Sequence, residues 1–128
     1  MKIFLKYHGL TILWALFILI ICSIKLGEVS KSPLFFAGFD KLVHCGLLFV
    51  LTVFMASGYV RRQTPRRLPH NTLLLITVIA IAFGGLIELL QHYFLTWRSG
   101  EWDDLFADTI GILMATFSIF ITAKALNK

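Results

Sequence analysis

Long apolar runs alternate with short polar connections along the whole chain. Apolar residues fill 9–24, 42–60, 72–95 and 105–123 with few interruptions. A bilayer core about 30 Å thick takes roughly 20 residues of helix. Each run therefore predicts one crossing, at about 9–26, 41–60, 72–95 and 105–124. Pro33 in the first connection, and Pro65 and Pro69 in the second, put helix breakers where turns are wanted. The pattern predicts an all-α fold, an integral membrane four-helix bundle forming a single domain over residues 1–128, with no room for a large extramembrane domain. There is no internal repeat and no low-complexity tract.

Composition agrees with that pattern. Of 128 residues 58% are hydrophobic, and the mean hydropathy is +0.82, well above what a water-soluble domain of this size carries. The first run also has the basic start and apolar stretch of a secretory signal. It lacks a small-x-small cleavage site followed by a soluble chain, so it is expected to be a retained anchor.

Charge then orients the bundle. Lys2, Lys6, Arg61, Arg62, Arg66, Arg67, Lys124 and Lys128 all fall on one side of a four-span arrangement, without an acidic residue among them. All seven acids, Glu28, Asp40, Glu88, Glu101, Asp103, Asp104 and Asp108, fall toward the other side. Under the positive-inside rule the basic side is cytoplasmic. The expected protein is thus a multi-pass protein of the inner (cytoplasmic) membrane with both termini in the cytoplasm. The basic 61–70 connection is explained as a topology signal, and the net charge of +5 implies no nucleic acid.

The polar residues inside the spans are the functional signal. Asp40, Lys41 and His44 occupy the first turns of the second span, and Asp40 and His44, four apart, share a helical face. Glu88, Gln91 and His92 lie in the last turns of the third. Asp104, Asp108 and Gly111 form one stripe on the fourth. A charged side chain turned to lipid costs about 2.5–3.5 kcal/mol even on insertion scales. Polar groups at one depth on three helices are therefore expected to converge on one another. Gly84, Gly85, Ala107, Gly111 and Ala115 are small residues that let helices approach closely.

In order and spacing, "DKLVHCG", "GLIELLQ", "RSGEWDD" and "DLFADTIG" resemble the VanZ-like family, named after a protein associated with teicoplanin resistance. The resemblance covers roughly residues 39–115. It implies a membrane fold, a cell-envelope location and a shared polar site, with little of the chemistry, and it leaves a link to glycopeptide resistance open. The family's last motif usually reads Asp-x-x-Ala-Asn-x-x-Gly, and here Asp108 stands in the Asn place, which adds a potential charge.

The candidate chemistry follows from the residue types. Asp40, His44, Glu88 and Asp104 are the candidate catalytic groups; His44, Glu88, Asp104 and Asp108 suit a divalent metal, or Glu88 and His44 could act as base and acid, and no particular metal or cofactor is specified. Lys41, Gln91, Arg98, Ser99 and Asp108 are candidate ligand-binding groups, with Arg98 able to grip a phosphate by its planar fork and Lys41 as a point charge. Glu88 is expected to accept from His44, Lys41 or Arg98. The partner these imply is a membrane lipid, or a lipid-linked phosphate or glycan, recognised or modified through an outward-facing pocket. Two alternatives stay open: a noncatalytic cluster that only fixes helix packing, and ion or proton transport. Whether the protein is an enzyme is left undecided by the sequence.

Overall fold

The computed structural model describes residues 1–23, 39–94 and 102–126, and at Phe39 and Asp40 the backbone alone. These residues form α1 (Lys2–Ser23), α2 (Phe39–Arg62), α3 (His70–Phe94) and α4 (Trp102–Leu126). All four are long and apolar enough to cross a membrane, and together they make an all-helical, multi-pass membrane bundle.

The helices extend a little beyond the apolar runs. The largest difference is at α1, which begins at Lys2 rather than near residue 9. Ile3, Phe4 and Leu5 continue the apolar surface there, and the Met1 carbonyl accepts from the Leu5 amide at 3.0 Å. Lys2 and Lys6 are tolerated because their long stems let the ammonium reach polar surroundings. At α3 the start is set by Pro69, whose carbonyl accepts from the Leu73 amide at 3.0 Å. A residue without an N–H costs nothing at that point, where no intrahelical partner exists. Terminal charges complement the helix dipoles: Asp103 and Asp104 lie in the first turn of α4 and Lys124 in its last, and Arg61 and Arg62 close α2.

Helix α2 packs chiefly on α4, α1 flanks α2, and α3 flanks α4. His44, early in α2, meets Asp108, early in α4, so these two helices run parallel. Thr77, early in α3, meets Thr116, past the middle of α4, at 2.8 Å, and Gly84, further along α3, meets Asp108, earlier in α4, so that pair is antiparallel. Inside a bilayer there is no hydrophobic drive for one helix to associate with another, and close packing takes over much of that role. Gly111 shows how: a Cβ there would run into the backbone of Cys45, so α4 touches α2 directly. Ala107 and Ala115, one turn either side of Gly111, are buried in the same seam.

The apolar core is formed by Ile18, Leu47, Leu48, Leu51, Ala80, Ile87 and Ile112. Outward-facing leucines, isoleucines and phenylalanines, such as Leu13, Leu74, Leu75, Leu113 and Phe117, are exposed, as a lipid-facing surface should be. Two buried threonine hydroxyls are satisfied by their own helices. Thr52 donates to the Leu48 carbonyl at 2.8 Å, and Thr77 is 2.9 Å from that of Leu73. The start of α2, the end of α3 and the start of α4 thus gather at one end of the bundle, which is acid-rich. Arg61, Arg62 and Lys124 mark the opposite, basic end.

Candidate functional site

At the acid-rich end three helices enclose one histidine. His44 comes from the second turn of α2, Glu88 from the penultimate turns of α3, and Asp104 and Asp108 from the first two turns of α4. All four are withdrawn from the surface, at 3%, 8%, 3% and 0% exposure. Nδ1 of His44 lies 3.1 Å from Oδ1 of Asp108, a hydrogen bond when that nitrogen carries the proton. The same nitrogen is 3.8 Å from Oε1 of Glu88. On the opposite side of the ring, Nε2 is 4.0 Å from Oδ2 of Asp104. Asp104 in turn meets Lys41, whose Nζ stands 3.5 Å from Oδ1. His44 therefore has carboxylates near both of its ring nitrogens.

Local sequence explains the convergence. Lys41 and His44 are three apart and share a face of α2, while Asp104 and Asp108, four apart, share a face of α4. The seam at Gly111 and Cys45 presses these faces together one turn further into the membrane. Gly84 completes the fit from α3, since a Cβ there would stand 3.1 Å from Oδ2 of Asp108. The bare backbone at Gly84 thus accommodates the Asp108 carboxylate. The starts of both α2 and α4 point their positive dipole ends toward this end of the bundle, which favours negative charge near them.

His44, Glu88 and Asp108 offer one ligand atom each, all within 4.8 Å of one another, so a metal ion fits among these three by donor type and reach. Asp108 is fully buried, yet its Oδ2 has no hydrogen-bond partner among the described residues.

Other expected site residues fall differently. Gln91 is buried beside the cluster, but its amide nitrogen donates to the Cys22 carbonyl at 3.0 Å. That carbonyl belongs to α1, so half of Gln91 is engaged in holding α1. The side chain of Asp40, together with Arg98 and Ser99, lies outside the described residues.

One feature of this region was not anticipated from the sequence. A groove of about 640 Å³ runs between α3 and α4, lined by Gly85, Leu86, Leu89, Trp102 and Leu105, with Glu88 also in its wall. This volume lies within the range of about 300–1,000 Å³ found for ligand pockets. Glu88 belongs to both groove and cluster, so it lies where a largely apolar groove meets a polar core. The adjacent glycines of α3 have separate tasks: Gly84 packs on Asp108, whereas nothing lies within 4 Å of a Cβ built on Gly85. The spacing of Gly85, Glu88, Leu89 and His92 at i, i+3, i+4 and i+7 was a signal for such a stripe.

A multi-span helical membrane protein with a histidine–carboxylate cluster buried among three helices is the class that fold and site define. The VanZ/LLP1 family model matches residues 4–123, nearly the whole chain. The chain belongs to that family. Comparison with curated proteins and with solved structures finds no significant match.

Proposed function

We propose that this protein holds an envelope lipid or lipid-linked precursor, with the apolar part in the groove between α3 and α4 and the polar head against the buried cluster. The observation that carries this reading is the position of Glu88, shared by the apolar groove and the polar core. An amphiphile needs such a junction. The cluster is rich in carboxylate acceptors, which suit the hydroxyl or amine donors of a glycan head. A phosphate in the same ligand falls to Lys41 and Arg98, the latter by a bidentate grip.

In this reading the basic end faces the cytoplasm, following the positive-inside rule, and the groove is filled from the outer leaflet of the inner membrane. Sequestering a lipid-linked envelope precursor would change what a glycopeptide meets there, which gives the family's resistance connection a physical route.

Native mass spectrometry of protein extracted in mild detergent tests the proposal. Wild type should retain a lipid-mass adduct. Gly85→Leu, which fills the groove from a position with no neighbour within 4 Å, should lose it while keeping its thermal stability. Arg98→Lys, which keeps charge but removes the fork, should weaken retention of a phosphorylated ligand. Equal retention by wild type and Gly85→Leu would overturn the groove reading.

A second reading is favoured by the Lys41–Asp104 and His44–Asp108 pairs, which tie α2 to α4. The cluster would then serve helix register alone. Glu88→Gln separates the two: a purely structural cluster predicts a less stable protein with unchanged lipid retention, whereas a ligand site predicts a folded protein with reduced retention.

A further inference from the structure

We propose that Nδ1 of His44 and the carboxylates of Glu88 and Asp108 bind one divalent transition-metal cation, with Asp104 as the carboxylate behind the histidine. The inference shares the buried cluster with the lipid reading but does not require that a lipid be bound.

Geometry supports it first. Metal–ligand bonds of about 2.0–2.2 Å in a tetrahedral site place the donor atoms roughly 3.4 Å apart. Here Nδ1 of His44 stands 3.1 Å from Oδ1 of Asp108 and 3.8 Å from Oε1 of Glu88, and the three donors all lie within 4.8 Å of one another. Small rotamer adjustments bring the set to bonding distance. The three ligands come from three different helices, so the site is held by the bundle rather than by one flexible loop.

A second observation comes from Asp108. Its side chain is wholly buried, and Oδ2 has no hydrogen-bond partner among the described residues. A buried polar atom in that state costs about 1–3 kcal/mol, more when charged, unless something coordinates the carboxylate. The bare backbone at Gly84 lies against this oxygen and offers it no donor.

The third observation is the opposite ring nitrogen. Metal-bound histidines usually direct their other N–H to a carboxylate, which fixes the tautomer and raises ligand basicity. Nε2 of His44 faces Oδ2 of Asp104 at 4.0 Å, and Asp104 is itself held by Lys41 at 3.5 Å. On binding, Nδ1 supplies its lone pair to the metal, and the ring proton resides on Nε2 toward Asp104. The hydrogen bond from Nδ1 to Asp108 is replaced by two bonds to one ion.

The donor set selects the class of ion. One imidazole with two carboxylates suits zinc, manganese or iron in the divalent state better than magnesium or calcium, which take oxygen ligands alone. Three protein ligands leave at least one coordination position open.

The test uses the full chain in mild detergent, stripped with chelator and titrated with Co²⁺ as a spectroscopic probe, with Zn²⁺ in competition. Wild type should bind one Co²⁺ per chain, develop ligand-field absorption, and release it to Zn²⁺. Asp108→Asn and Glu88→Gln preserve shape and should each weaken binding by at least ten-fold. Asp104→Asn, which touches no metal, should weaken it by about 10–100-fold. His70→Ala, at the basic end, should bind as wild type does. Circular dichroism and size-exclusion profiles establish that each variant is folded, and the two isosteric carboxylate variants keep the test valid should a His44 variant fail to fold. Absence of saturable Co²⁺ binding by wild type, or undiminished binding by both Asp108→Asn and Glu88→Gln, would overturn the proposal.

Discussion

Substituting alanine for Gly111 tests the packing that creates the site. The added Cβ would stand 2.9 Å from the Cys45 carbonyl carbon and 3.0 Å from its Cα, and closer still to the carbonyl oxygen. All three atoms are backbone, so no side chain can swing aside. Carbon atoms settle at about 3.5–4.0 Å, which forces α2 and α4 apart by roughly 0.5–1 Å at this level. His44 directly precedes Cys45, and Asp108 lies one turn before Gly111. Their 3.1 Å contact therefore opens beyond hydrogen-bonding range. Overpacking costs about 1–3 kcal/mol, and loss of a hydrogen bond to a charged group about 1.5–3 kcal/mol. Allowing for partial relaxation, Gly111→Ala should lose about 2–5 kcal/mol in reversible denaturation in detergent. Gly46→Ala is the control, because nothing lies within 4 Å of a Cβ there. Alanine even gains up to about 1 kcal/mol of helix propensity over glycine. Equal stability of the two variants would refute the direct seam between α2 and α4.

Three further outcomes are expected. Gly58→Ala places a Cβ 2.7 Å from the Tyr7 carbonyl oxygen and 2.6 Å from Nδ1 of His8; it should cost about 1–3 kcal/mol in the same denaturation assay, while lipid and Co²⁺ binding at the other end survive. Gln91→Ala removes the donor to the Cys22 carbonyl and should cost about 0.5–1.5 kcal/mol, read as earlier proteolysis of α1 as well as lower stability. In a variant without native cysteines, Thr64→Cys should resist a membrane-impermeant thiol reagent in intact cells and Ser32→Cys should react; the reverse pattern would invert the proposed orientation.

Hydropathy made the helices legible, because lipid demands long apolar runs and tolerates no unpaired backbone. The membrane penalty on charge made the meeting of His44, Glu88, Asp104 and Asp108 legible for the same reason: buried polar groups on neighbouring helices must face inward. The helix ends were less legible. Lys2 and Lys6 concealed the first two turns of α1, since hydropathy counts the ammonium and ignores the stem. Neighbouring residues on a helix differ by about 100°, so whether Gly84 or Gly85 meets α4 depends on how α3 is rotated, which no local pattern states. The groove beside Gly85 escaped for that reason. The engagement of Gln91 with α1 escaped because its partner is a backbone carbonyl, which every residue carries. The stripe of Ala107, Gly111 and Ala115 announced a close approach but not that α2, rather than α3, would fill it.

Both the lipid and the metal proposals rest on His44 and the carboxylates meeting at one point inside the bundle. A double-mutant cycle on His44→Gln and Asp108→Asn, with stability measured by reversible denaturation in detergent, tests that meeting most directly. The 3.1 Å contact between two buried side chains predicts a coupling of about 1.5–3 kcal/mol, the range of a hydrogen bond to a charged group. Effects of the two substitutions that add to within about 0.3–0.5 kcal/mol, as they do for sites without a shared contact, would contradict it.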